Sequence, residues 1–262
     1  MLVDSHCHID YPALAKDQAG VLARAKAAGV GRMVNISTTK KGFAQVRATA
    51  ETHDEVFCSV GAHPHHVAED GENFTTDELI EAALHPKVVG IGETGLDYYY
   101  NHAPRDEQQK SFRDHIRAGI ASGLPIIIHS RDAEEDTAKI LQEEGAGQAA
   151  KMKGVMHCFS SRRILAEDAL KLGFYISLSG ILTFKKSQEL RDIARDVPLD
   201  RLLVETDSPF LAPEPYRGKI CEPAYVVNTA RVLAEVKGVS EDDIARRTTE
   251  NFFTLFDKVT RP

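Results

Sequence analysis

Six short segments of this chain set histidines or carboxylates directly behind apolar runs. They are D-S-H-C-H at 4–8, G-A-H-P-H at 61–65, G-E-T-G-L-D-Y at 92–98, I-I-I-H-S-R at 126–131, H-C-F-S at 157–160 and E-T-D-S-P at 205–209. Imidazole and carboxylate together form a donor set for divalent cations. Side chains alternate along a strand, so Asp4, His6 and His8 would share a face while Cys7 turns away. Two imidazoles so placed can grip one cation. Glu93 stands between glycines, which allow close approach of backbone or ligand, and its two oxygens can reach two cations. His129 and His157 end neighbouring runs at equivalent positions, and His63 ends another. Asp207 is placed to ligate a metal and to take a proton from water. Glu205, on the same side, reads as a partner of a ligand or of a basic group. Asp97 reads as a carboxylate that orients a ligand. Arg131 is available to an anionic substrate group.

Side chains this far apart in sequence need a frame that gathers strand ends. Eight strand-like runs recur, at Leu2–Ser5, Arg32–Ile36, Val56–Val60, Val88–Ile91, Pro125–Ile128, Gly154–His157, Phe174–Leu178 and Leu202–Glu205. Amphipathic stretches separate them. One is Arg105–Ser122, where Phe112, Ile116 and Ile120 recur every fourth position; another carries Val226, Ala230 and Leu233. Thr75-x-x-Glu78 and Ser240-x-x-Asp243 look like capping boxes. Eight such units in 262 residues predict an α/β fold, a single (β/α)8 TIM barrel over 1–262. A further helix at Ser240–Phe256 would pack on it. Catalytic groups of such barrels come from the C-terminal ends of several strands, where all six motifs fall. Neither phosphate-binding glycine motif occurs, which disfavours a doubly wound nucleotide-binding sheet.

Composition bounds the rest. The chain is 42% hydrophobic and 27% charged with a formal net charge of −7, unlike a DNA-packaging protein coated in positive charge. Its four cysteines form no C-x-x-C pair, so no zinc knuckle or redox motif is predicted. The first residues lack the basic and apolar regions of a signal peptide, and no apolar run approaches a membrane span. A cytoplasmic monomer without membrane contact is expected.

The six motifs, in this order and spacing over nearly the whole chain, resemble those of the TatD family of metal-dependent deoxyribonucleases, within the amidohydrolase superfamily. The resemblance implies a hydrolase acting on ester bonds, a nuclease that removes nucleotides from DNA 3′ ends. It implies one cation held by His6, His8, Glu93 and Asp207 and another held by Glu93, His129 and His157. His63 would lie close to the substrate phosphate, with His65 a second candidate for that contact. Arg217 and Lys219 resemble the family's basic run after the eighth strand, although Cys221 departs from the family pattern there. Glu93 takes the place where amidohydrolases that open cyclic amides carry a lysine, which favours phosphate esters.

The expected cofactors are two divalent ions, Mg2+, Mn2+ or Zn2+, and the expected partner is DNA with single-stranded ends. Further basic positions are Arg162–Arg163 and Lys185–Lys186. Tyr98, Tyr99 and Tyr100 could stack on an unpaired base or pack the loop against the rim. The same metal site would serve a hydrolase of a small ester, lactone or amide. A barrel that had become a binding protein would be expected to lack a ligand, and none is missing.

Overall fold

In the computed structural model, which describes residues 1–147 and 151–261, eight parallel strands follow one another around a barrel. They are β1 (Leu2–Cys7), β2 (Val30–Asn35), β3 (Val56–Val60), β4 (Val88–Asp97), β5 (Ile126–Arg131), β6 (Gly154–Met156), β7 (Tyr175–Leu178) and β8 (Leu202–Val204). Each hydrogen-bonds to its sequence neighbour. Helices return the chain between them: α1 (Pro12–Ala15), α2 (Gln18–Ala27), α3 (Phe43–Thr52), α4 (Thr76–Ala83), α5 (Arg105–Ser122), α6 (Glu134–Gly145), α7 (Arg163–Lys171), α8 (Gln188–Asp196) and α9 (Val226–Lys237). Among the described residues, no helix is long and apolar enough to cross a membrane.

One inward residue from every strand builds the floor: Val3, Val34, Phe57, Val89, Ile127, Val155, Tyr175 and Leu203 form one buried cluster. The added C-terminal helix, α10 (Glu241–Leu255), contributes Phe252 and Phe253 to that cluster and is followed into it by Phe256. Asn251 Nδ2 donates to the Leu202 carbonyl and Thr249 Oγ1 to that of Met1, so α10 sits against the strand beginnings. Each such burial contributes about 1.5–3 kcal/mol relative to exposure. The bottom of the barrel is therefore apolar and plugged, which leaves the other end for chemistry.

The expected strands all form, with one large difference in extent. β4 runs ten residues, through Glu93 to Asp97, rather than ending at Ile91. Gly92 (φ 143°) and Gly95 (φ 133°) make this possible, because a Cβ at either would strike the backbone of β5 at Ile127 or His129. The glycines thus press β4 onto β5 and carry Glu93 within the sheet to the mouth. The Thr75–Glu78 capping box forms in both directions. At Ser240 only half forms: Asp243 N donates to Ser240 Oγ, while the shorter Asp243 side chain accepts from that hydroxyl.

The barrel closes between β8 and β1 through residues of the motifs. Asp207 N donates to the His6 carbonyl at 2.9 Å and His8 N to the Ser208 carbonyl at 2.7 Å. Asp4 accepts from Thr206 N at 2.9 Å and from Thr206 Oγ1 at 2.5 Å. This corrects the expectation that Asp4 shares a face with His6 and His8. A register shift between Asp4 and Cys7 breaks the alternation, so Asp4 turns to β8 while the two imidazoles reach the mouth.

Candidate metal centre

Strand ends β1, β3, β4, β5 and β6 and the turn after β8 bring seven side chains together at the barrel mouth. His6, Glu93 and His157 form one group of mutually close donors; His6, His8 and Asp207 form a second; His63, Glu93 and His129 form a third. The Glu93 carboxylate lies at the centre. Its Oε1 is 2.8 Å from His157 Nε2, 3.2 Å from His129 Nδ1 and 3.4 Å from His63 Nε2. Its Oε2 is 3.4 Å from His6 Nε2. Asp207 Oδ1 lies 3.5 Å from His8 Nε2 and 3.6 Å from His6 Nε2.

Outer partners fix which nitrogen of each ring faces inward. His157 Nδ1 donates to Glu205 Oε1 at 3.1 Å, and His129 Nε2 faces Asp97 Oδ2 at 3.0 Å. His8 Nδ1 donates to the Ile36 carbonyl, and His63 Nδ1 accepts from His65 N. His157, His129 and His8 thus each commit one nitrogen outward and turn the other to the mouth, whereas His63, which accepts at Nδ1, carries its proton on Nε2 and turns a donor there. The carboxylate–histidine pairs at His157 and His129 are characteristic of metal ligands, because they set the tautomer and raise ligand basicity. His6 differs: both its ring nitrogens are buried without a hydrogen-bond partner.

That orphaned ring tests whether a cation fits. A buried polar atom without a partner costs about 1–3 kcal/mol, and a metal on Nε2, the nitrogen that faces Glu93 and Asp207, would relieve that cost for one of the two. The donor–donor separations match as well, since ligands bound at about 2.1 Å lie about 3–3.5 Å from one another. The residues present fit divalent cations.

The electrostatics agree. Burial opposes ionisation of Glu93, yet His157, His63 and His129 outweigh it and hold the carboxyl well below the usual range. Burial likewise opposes charge on Asp207, but His8, His6 and His157 keep it ionised. Burial pushes His63 down to about 4 and keeps its imidazole neutral, the form a cation or a hydrogen bond can use. Asp97 is also held low, its burial outweighed by His129 and His65.

Above the donors lies an open cavity of about 770 Å³. Of the expected substrate contacts, His65 and Arg131 border it. His65 is not free there, because its Nε2 lies 2.9 Å from Asp97 Oδ2. The Arg131 guanidinium covers the rings of Tyr99 and Tyr100 at 4.1 and 4.7 Å. Arg217 instead packs over Phe184 at 3.7 Å and Lys219 near Tyr216, and neither belongs to the cavity wall. The tyrosine run divides. Tyr98 OH bonds to Asp136 and packs the loop, whereas Tyr100 is 50% exposed, borders the cavity and stacks on His102.

Several residues at or beneath the mouth escaped the sequence reading, four of them rings. Tyr11, His102 and Phe210 line the cavity from loops without a motif of their own, although Phe210 directly follows E-T-D-S-P. His115, buried on α5, accepts from Ala62 N at 3.0 Å and so holds the backbone next to His63. Its one signal was a histidine on the apolar face of the helix, between Phe112 and Ile116. Backbone strain also gathers here. Of the described non-glycine residues with positive φ, Asp132, Cys158, Asp207 and Leu211 line the cavity and Asn101 adjoins His102.

Comparison with known proteins gives one consistent result. The family model described as TatD related DNase matches residues 3–257. The chain is 46% identical to the uncharacterized metal-dependent hydrolase YcfH of Escherichia coli K12, covering 97% of this chain and 95% of that protein. It is 40% identical to the uncharacterized metal-dependent hydrolase YabD of Bacillus subtilis, covering 98% and 99% respectively. The crystal structure of YjjV, a TatD homologue from E. coli K12, superposes with a TM-score of 0.89 at 30% identity over 98% of both chains.

Proposed function

Because the chain belongs to the TatD-related DNase family of metal-dependent hydrolases, we propose that it hydrolyses phosphodiester bonds of DNA, removing nucleotides from single-stranded 3′ ends. The observation that carries this reading is a shared carboxylate, Glu93, between two groups of imidazole donors at the floor of an open cavity. Such a site suits a charged, extended substrate better than a closed apolar pocket would.

His6, His8, Glu93 and Asp207 would hold one cation, and Glu93, His129 and His157 a second, Mg2+, Mn2+ or Zn2+. When bound, the cations would supply Lewis acidity toward the phosphoryl oxygens and lower the pKa of water at the site. Asp207, kept ionised by its imidazole neighbours, orients the attacking water and accepts its proton. His63 and Arg131 face the phosphate, His63 as a hydrogen-bond donor and Arg131 as the cation on the rim. The exposed ring of His102, stacked on Tyr100, offers an aromatic face to an unpaired base. Glu205 and Asp97 hold His157 and His129 in position.

Metal-stripped protein incubated with 3′- and 5′-labelled single-stranded DNA tests the reading, with each metal added back in turn and Asp207→Asn run alongside. Stepwise, metal-dependent loss from the 3′ end that falls at least a hundredfold in the variant is expected. Intact DNA with every metal demonstrably bound would end the nuclease reading and leave the metal-dependent hydrolase in place.

A further inference from the structure

Opposite Tyr100 and His102 stands a second aromatic wall that the roles assigned above leave unused. We propose that Phe210 is a stacking platform for a nucleobase, that of the nucleotide bound on the His6, His8 and Asp207 side of the mouth. The inference rests on the nuclease reading and deepens it. Each nucleoside flanking the scissile phosphate would then lie against its own ring.

Three observations support the platform. First, Phe210 is a large apolar side chain left 51% exposed while it borders a cavity floored by charged and polar groups. Second, its ring is backed by others. Tyr11 lies edge-on at 6.0 Å and His8 at 6.4 Å, and Tyr11 is tilted against His8 at 4.8 Å. The Tyr11 hydroxyl is tied to Thr38 Oγ1 at 3.2 Å, which fixes the backing ring. Third, Phe210 shares the turn of a candidate ligand, for its amide donates to the Asp207 carbonyl at 2.9 Å. The ring is therefore set in register with the donors.

Position completes the argument. Tyr11 and Phe210 rise from the loops after β1 and β8, whereas Tyr100 and His102 rise from the loop after β4. In a barrel ordered β1 to β8 these loops lie half a circuit apart, with the donor cluster between them. A phosphodiester over Glu93 has a nucleoside on each side, one toward each wall. Every base has a π-face, so such walls accept any sequence. A base already stacked within a duplex is not free to use them, so strand ends and unpaired bases are preferred.

The test compares single-stranded oligonucleotides carrying either a normal nucleotide or an abasic tetrahydrofuran residue on each side of the cleaved bond. The unchanged protein and the Phe210→Ala and Phe210→Trp variants are measured with each substrate. In the unchanged protein, loss of the base facing Phe210 should raise KM roughly five- to a hundredfold, the range of base–aromatic stacking. Phe210→Ala should shrink that ratio toward one, and Phe210→Trp should keep it. A 2-aminopurine at the same position should be quenched on binding to the slowed Asp207→Asn protein, and the quenching should disappear when Phe210→Ala is added. A base-to-abasic ratio unaltered by Phe210→Ala would overturn the platform. No cleavage of any DNA by the unchanged protein would overturn the nuclease reading, and the nucleobase assignment with it.

Discussion

Replacing Glu205 by Gln would leave a side chain of the same shape and remove one buried charge. Glu205 Oε1 accepts from His157 Nδ1 at 3.1 Å and from Cys158 N at 2.6 Å, and Oε2 accepts from Ser177 Oγ at 2.6 Å. A glutamine carbonyl can keep the first two bonds. Its amide can face Ser177, whose hydroxyl can turn toward Ser5 Oγ at 3.1 Å. The geometry around His157 should therefore survive while the charge behind it is lost. That charge matters: burial opposes protonation of His157, but Glu93 and Glu205 together hold its pKa well above the ordinary value. A carboxylate behind a ligand makes it a better donor, and losing such a partner costs about 10–100-fold in metal affinity. At about 1.4 kcal/mol per tenfold, Glu205→Gln should weaken cation binding by about 1.4–2.8 kcal/mol. Calorimetric titration of metal-stripped protein with Mn2+ and Zn2+ reads this directly. Glu205→Ala behaves differently, because it strands buried donors at about 1–3 kcal/mol each and should lower the stability of the metal-free protein. Equal metal affinity in Glu205→Gln and the unchanged protein would refute the reasoning that His157 is a ligand tuned from behind.

Three more outcomes are expected. Asp97→Asn keeps an acceptor for the Tyr99 and Tyr100 amides but loses the charge facing His129 and His65, so the same titration should show a weakening of about tenfold or more. Chelation should lower the melting temperature and speed hydrogen exchange selectively at residues 4–8 and 205–209, where β8 meets β1; uniform acceleration would count against ligands that bridge this seam. His115 is lowered by burial from 6.5 to about 4, so the unfolded chain takes up a proton that the folded ring refuses. Its share of stability is complete above pH 6.5 and is lost as pH falls toward 4, by about 3 kcal/mol; urea titrations of His115→Gln should show a correspondingly flatter acid limb.

Much of the architecture was legible because a barrel repeats one unit. Each strand is short, apolar and bounded by turn residues, and each return helix carries its own apolar stripe, as Phe112, Ile116 and Ile120 do on α5. Strand length was less legible where special backbone decided it. Gly92 and Gly95 look like punctuation that ends β4, yet they extend it, because positive φ and the missing Cβ let the strand lie close against β5. Periodicity also failed at β1, where the register shift after Asp4 cannot be read from D-S-H-C-H.

Residues whose role depends on strand position could be read one at a time, and residues whose role depends on a distant neighbour could not. His6, Glu93, His129, His157 and Asp207 each follow an apolar run, so a local pattern marks them. Asp4 meets Thr206, His115 meets Ala62 and Phe210 meets Tyr11 only once the ring has closed. The closure itself uses the candidate ligands, since the backbone bonds joining β8 to β1 are made by His6, His8, Asp207 and Ser208. Asp4 reinforces the same seam as a buried carboxyl raised to about 8 by desolvation, a cost that its bonds to Thr206 only partly offset. A cation held by His6, His8 and Asp207 would bond across this joint, between residues some 200 positions apart in sequence. Such a cation would couple assembly of the site to closure of the barrel, and would offset part of the cost of the unpartnered His6 imidazole at the seam.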